Sequence, residues 1–240
     1  MDIHKPKPWH GVREFLKEYA IIVVGVLTAL AGEQAVESVH RHIEGSALRT
    51  DLHEESRQIL VDAQQCEGLA DYELRWLRNR IAPVQASVWR GQRLGAREAN
   101  DEPICASPDV PIWRSAKSAG KTGLLTKGEL NAYAEIEYVQ THLDSYYEDT
   151  VKAKAAVRAF NSQLPRLPNG EPDFSVLSRD DLRKYLILLS DAARAFDQYR
   201  GWLGLLIGAE KAVMRGRTNL TEIYASERAS SGGDIIHHSM

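Results

Sequence analysis

The nine prolines of this chain fall in three groups and leave long stretches without one. Pro6 and Pro8 form the first group, Pro83, Pro103, Pro108 and Pro111 the second, and Pro165, Pro168 and Pro172 the third. Residues 9–82, 112–164 and 173–240 contain none. Inside a helix, proline removes a hydrogen bond and pushes against the preceding turn, at a cost of about 3 kcal/mol or more. Long proline-free stretches separated by proline-rich connectors therefore predict long helices joined by loops. Alternating β-branched runs are almost absent, so the expected class is all-α, an antiparallel bundle of long helices.

Apolar spacing gives the helices their inward faces. Leu48, Leu52, Ile59, Ala63, Cys66, Ala70, Leu77 and Ile81 recur at multiples of three and four, one stripe of a helix. Leu182, Leu186, Leu189, Ala193, Phe196, Leu203, Ile207 and Val213 form a second stripe, and Leu130, Tyr133, Ile136, Val139, Leu143, Tyr147 and Val151 a third. Thr126-Lys-Gly-Glu129 has the form of a capping box, and Ser178 stands ahead of Asp180 and Asp181 as an N-cap. Glycine and proline turn signals predict a long loop at about 84–112. Serines and Gly232-Gly233 predict a flexible tail over 217–240, which leaves 37–216 as the helical body.

The most apolar run is Tyr19-Ala-Ile-Ile-Val-Val-Gly-Val-Leu-Thr-Ala-Leu-Ala-Gly32, which carries no charge. Residues 15–36 reach the roughly 20 residues needed to cross a bilayer if Lys17, Glu18 and Glu33 sit at the two interfaces. Three readings compete. A buried soluble helix does not need apolarity all round. A cleaved signal peptide would use Ala29-Leu30-Ala31 as its small-x-small site. A retained signal anchor fits the helical pattern running on through Val36 and Val39 into the first stripe, and this is the expectation carried forward. Lys5, Lys7, Arg13 and Lys17 precede the run, whereas Arg41 and Arg49 follow it. The positive-inside rule then places residues 1–14 in the cytoplasm and the body in the periplasm. Gly25, Ala29 and Gly32 would let two such spans approach closely, which points to a homo-oligomer.

Arg13-Glu-Phe-Leu-Lys-Glu-Tyr-Ala-Ile-Ile-Val-Val-Gly-Val-Leu-Thr-Ala-Leu30, followed by Glu33-Gln34 and Glu37, resembles the opening of a family of uncharacterised bacterial single-pass inner-membrane proteins. Members begin with a short basic stretch, an Ile/Val/Leu-rich span and a polar exit. Their helical bodies contain a Trp … Ser-Gly-x-Leu loop, to which Trp113-Arg-Ser-Ala-Lys-Ser-Ala-Gly120 with Leu124-Leu125 is similar. The resemblance implies an inner-membrane protein and brings no catalytic residue.

Chemical motifs are sparse. Gly120-Lys121-Thr122 lacks the glycine five positions earlier that a phosphate-binding loop requires, that position being Ser115. Glu37-Ser-Val-His40 has di-iron spacing, but such sites need two copies and two further glutamates. His40 and His42 fall on different sides of a helix, and His53, His142, His237 and His238 have no ligand spacing around them. With 30 basic against 33 acidic residues there is no surplus positive charge for nucleic acid. Tyr133, Tyr138, Tyr146, Tyr147 and Tyr199 suit either a bundle core or the lining of a ligand pocket. In an oxidising compartment the two cysteines, Cys66 and Cys105, tend to pair, although spacing alone does not set their distance.

These features lead to a non-enzymatic, membrane-anchored interaction or scaffold protein with no cofactor and no metal, whose partners are the lipid bilayer and another protein. The alternative is a periplasmic small-molecule-binding, sensor-like bundle acting through a partner protein, motivated by the tyrosines and by Trp76 and Trp202.

Overall fold

The computed structural model describes residues 11–92, 94 and 104–231, and among these it is all-helical. Helix α1 is Val12–Arg90, α2 is Pro111–Ser118, α3 is Lys127–Ser162, α4 is Arg179–Met214 and α5 is Leu220–Ser231. Short 3-10 turns, Lys121–Leu124 and Phe174–Val176, lie in the connections. The chain divides into two compact units, Met1–Arg49 and Thr50–Met240.

The second unit holds the core. Leu52, Ile59, Ala63, Cys66, Ala70 and Leu77 are buried as their spacing predicts, and Leu74 joins them from the adjoining face. Leu189, Phe196, Leu203, Ile207 and Val213 of α4 and Tyr133, Ile136, Val139 and Leu143 of α3 are buried as well. The third stripe is shorter than expected, because Leu130 and Val151 at its ends are exposed. Residue numbers rise along α1 as they fall along α4: Asp71 pairs with Arg200 at 3.0 Å, and Arg80 meets Tyr185. Along α3 and α4, Tyr147 meets Tyr199 and Phe160 meets Tyr185, again in opposite senses. Helix α4 is therefore antiparallel to both α1 and α3.

Both capping expectations are realised in detail. Thr126 Oγ1 accepts from the Glu129 amide at 3.3 Å while the Glu129 carboxylate accepts from the Thr126 amide at 2.7 Å. Ser178 and Asp181 repeat the arrangement at the start of α4.

Three boundaries differ from expectation. The loop placed at 84–112 is shorter, since α1 runs on through Pro83 to Arg90 and α2 starts at Pro111. The proline gives up one amide, but Val84, Ala86 and Val88 are buried just beyond it, and that burial outweighs one lost bond. Arg179 Nε also donates to the Val88 carbonyl at 2.8 Å. Gly91, at φ +65°, then ends the helix in the left-handed conformation that glycine tolerates. The tail placed at 217–240 contains α5, with Ile223 and Glu227 fully buried, while 232–240 lie outside the described residues. Finally, Asn169-Gly170 is a hairpin-type pair to which an all-helical expectation gives no place, and it closes a small turn bridged from Arg166 to Pro172.

Helix α5 owes its place to two glycines. On α4, Gly204 and Gly208 lie one turn apart, and α5 backbone passes directly over them. A Cβ on Gly208 would stand 2.6 Å from both the Glu227 nitrogen and the Ser226 carbonyl oxygen, and one on Gly204 would stand 3.0 Å from the Ser230 oxygen. This second contact face explains why residues 203–210 of α4 are buried all round.

Candidate functional site

In the first unit the apolar run is bare. The helix carrying it contains an 18-residue window apolar enough to cross a membrane, and 0% of that window is buried. Phe15, Ile21, Ile22, Val24, Val26, Leu27 and Leu30 are each at least half exposed. Such a surface is the opposite of the buried soluble helix weighed from the sequence, because a core helix covers its apolar side chains. Gly25 and Gly32 have nothing within 4 Å of where a Cβ would stand, and Ala29 is exposed beside them. Among the described residues, nothing packs against the Cβ positions of Gly25 and Gly32. Glu37 bonds Arg41 at 2.8 Å and His40 lies 3.4 Å from Glu44, so the Glu-x-x-His pair is engaged in exposed i,i+4 contacts.

Cys66 and Cys105 are joined as a disulfide, with Cα atoms 5.2 Å apart. Its position follows from the path of the chain. Glu55 accepts from the amides of Ile112 and Trp113 at 2.5 and 3.1 Å, capping the N-terminus of α2 from α1. The chain must therefore return from Arg90 to the level of Glu55, which is about 50 Å at 1.5 Å per helical residue. The disulfide ties that return to α1, and Tyr199 Oη adds a 2.9 Å bond to the Cys105 carbonyl. Burial raises the Glu55 carboxyl above its ordinary value, and the two amides oppose that rise.

Charged residues occupy the core where spacing predicted only apolar ones. Lys154 Nζ and Glu73 form a 3.0 Å ion pair with side chains only 7% and 6% exposed. Arg80, also buried, places its guanidinium 4.2 Å from the centre of the Phe174 ring and near Tyr185, substituting aromatic faces for a carboxylate. Glu210 is fully buried, and burial pushes its carboxyl up to about 8, with Ser56 opposing and Glu55 adding to the rise. Glu227 is pushed to about 8 by the same cause, reinforced by Glu135. None of these residues was singled out from the sequence. The signal was present, since Glu73, Lys154 and Glu210 fall in register with the apolar stripes.

Beside the buried pair lies a cleft of about 220 Å³. Leu77, Val157, Pro172 and Ala192 form an apolar floor, Trp76 a half-buried wall, and Arg158 and Arg166 reach the solvent side. Of the tyrosines, Tyr133 and Tyr199 are buried in the core, while Tyr138 and Tyr146 surround Trp202 together with His142, which stacks on it at 4.9 Å. The five tyrosines do not gather around this cleft, and neither Trp76 nor Trp202 is fully buried.

The remaining motifs stay apart. Gly120 sits at φ +69° and Lys121 and Thr122 enter a four-residue 3-10 turn rather than a long helix. Among the described residues no group of three or more His, Cys, Asp or Glu side chains is placed to hold a metal ion. No family model, curated protein or solved structure matches this chain.

Proposed function

We propose that this chain is a single-pass protein of the bacterial inner membrane, retained by residues 15–36 as a signal anchor and acting as a non-enzymatic interaction or scaffold protein. The observation that carries the reading is the apolar window in the N-terminal helix, none of which is buried. Twenty-two helical residues rise about 33 Å, close to the roughly 30 Å of a hydrocarbon core. Phe15 and Tyr19 supply aromatic side chains at one end of that length. The cationic excess ahead of the run supports a cytoplasmic N-terminus. The Cys66–Cys105 bond supports a periplasmic body, since disulfides persist in oxidising compartments. The resemblance of residues 13–37 to uncharacterised inner-membrane proteins agrees with this placement. Partners under this reading are the bilayer, a second protein, and a second copy packed along Gly25, Ala29 and Gly32.

Protease added to spheroplasts tests the topology. Under this reading the body is degraded while a short N-terminal fragment persists, and full protection until the membrane is lysed would overturn it. Cross-linking in intact membranes tests the interaction role. A discrete adduct with one protein, or with a second copy, is the expected result, and a chain that remains monomeric under every cross-linker would contradict it.

A further inference from the structure

We propose that the end of the second unit where α1 enters it docks, through Lys121, Lys127 and Arg215, on the anionic phospholipid headgroups of the bilayer that holds the anchor. This deepens the anchored reading and rests on it, adding a second contact between the chain and lipid.

Two segments supply the charge. Residues 110–128 carry Arg114, Lys117, Lys121 and Lys127, and residues 211–221 carry Lys211, Arg215 and Arg217. Neither segment contains an acid, in a chain whose net charge is -3. The fold brings the two segments to one end of the bundle. A Cβ on Gly128 would stand 2.6 Å from the Thr218 hydroxyl oxygen. Ser56 of α1 lies beside both Tyr133 of α3 and Glu210 of α4. Because α4 runs against α1 and α3, moving one to two turns from that level reaches Thr50, Lys127 and Arg215 together. Thr50 is where the second unit begins.

Four of the seven cations have acids beside them. Arg114 pairs with Asp109, Lys117 with Glu137 at 2.6 Å and Arg217 with Glu222 at 4.0 Å, and Lys211 acts on Glu67. Lys121, Lys127 and Arg215 are exposed and form no ion pair among the described residues. Of the acids at this end of α1 and α3, Glu54 is held by Arg57 and Glu129 by the Thr126 cap, which leaves Asp51 exposed. The surplus remains positive.

Lipid fits this surface on two further grounds. Lys121 and Lys127 flank Leu124 and Leu125, which are half-buried at the 3-10 turn between α2 and α3. Leucines between lysines suit the boundary of headgroups and acyl chains, where charge and apolar area both add to binding. Under the anchored reading, residues 37–49 join the span to the second unit through about 20 Å of helix, which keeps this end near the bilayer. Tethering makes the contact intramolecular, so a few cations suffice.

The test is lysine acetylation of the full chain in nanodiscs, read residue by residue by mass spectrometry. One set of discs is phosphatidylcholine alone, and the other contains about a third phosphatidylglycerol. Lys121 and Lys127 are expected to react at least threefold more slowly in the anionic discs, while Lys152 and Lys184, far along the bundle, react equally in both. Salt at 1 M should erase the difference. R215Q, at an exposed position, should fold as the parent does and weaken docking about fivefold. Equal reactivity of Lys121 and Lys127 in the two discs, protection that survives 1 M salt, or protection unchanged in R215Q would each overturn the proposal and leave the anchor standing. A chain that does not enter the discs would refute the anchor and this proposal with it.

Discussion

Replacing Gly208 by alanine sets two opposing effects against each other at the α4–α5 crossing. In an open helix the change should stabilise by about 1 kcal/mol, because glycine loses more backbone freedom than alanine. At Gly208 the new methyl would instead stand 2.6 Å from two α5 backbone atoms, and closer still to Glu227 Cα. Ordinary van der Waals contact is about 3.5–4 Å, so the helices must part by about 1 Å. No side-chain rotation relieves a collision with backbone, so overpacking falls at the upper end of its usual cost, about 3 kcal/mol. The net expectation is a loss of about 2 kcal/mol, or about 4–8 °C in melting midpoint. Gly68 supplies the control, being an α1 glycine with nothing within 4 Å of its added Cβ; there G68A should stabilise by up to about 1 kcal/mol. Thermal melts of the two variants, with trypsin cleavage near Arg217 and Arg228 as a report on α5, read both effects. A G208A protein as stable as G68A, with α5 still protected, would refute the close crossing.

Reduction of Cys66–Cys105, or replacement of both by serine, opens a loop spanning 39 residues. It should lower unfolding free energy by about 4 kcal/mol in the chain-entropy account, read from urea denaturation with and without reductant. Glu73→Gln leaves Lys154 buried without its carboxylate and should cost about 3–5 kcal/mol, whereas the double variant Glu73→Leu with Lys154→Met should be near neutral. A double-mutant cycle from urea midpoints separates the two outcomes. Glu210 and Glu227 have folded values raised to about 8, well above the ordinary carboxylate. Their contribution to stability is complete below the unfolded value of about 4.3 and is lost as pH rises through about 8. Urea midpoints should therefore fall between pH 5 and pH 8, and Glu210→Gln should flatten that slope; a slope unchanged in the variant would contradict the assignment.

The helical class was legible because its cause is local: proline placement and apolar periodicity act within a few residues. Capping at Thr126 and Ser178 was legible for the same reason. Pro83 misled because its effect is set by tertiary burial of Val84, Ala86 and Val88, which a local rule does not contain. Helix α5 had local signals that composition obscured. Gly216, at φ +71°, ends α4, and Asn219 Oδ1 accepts from the Thr221 amide at 2.9 Å to start α5. The serines and glycines that follow drew the reading toward a frayed tail. The cleft was the least legible feature, since it joins α1, α3, α4 and a turn that lie far apart in sequence. Its sequence clues were Glu73 and Lys154, charges on apolar registers where each requires a partner.

The central claim is that residues 15–36 cross a bilayer, and alkaline carbonate extraction tests it most directly. Membranes from cells expressing the full chain are washed at high pH, which strips peripherally bound proteins and leaves spanning ones. The account predicts that the intact chain, N-terminus included, stays with the membrane pellet. Recovery of the intact chain in the carbonate supernatant, or of a mature form beginning after residue 31, would contradict it.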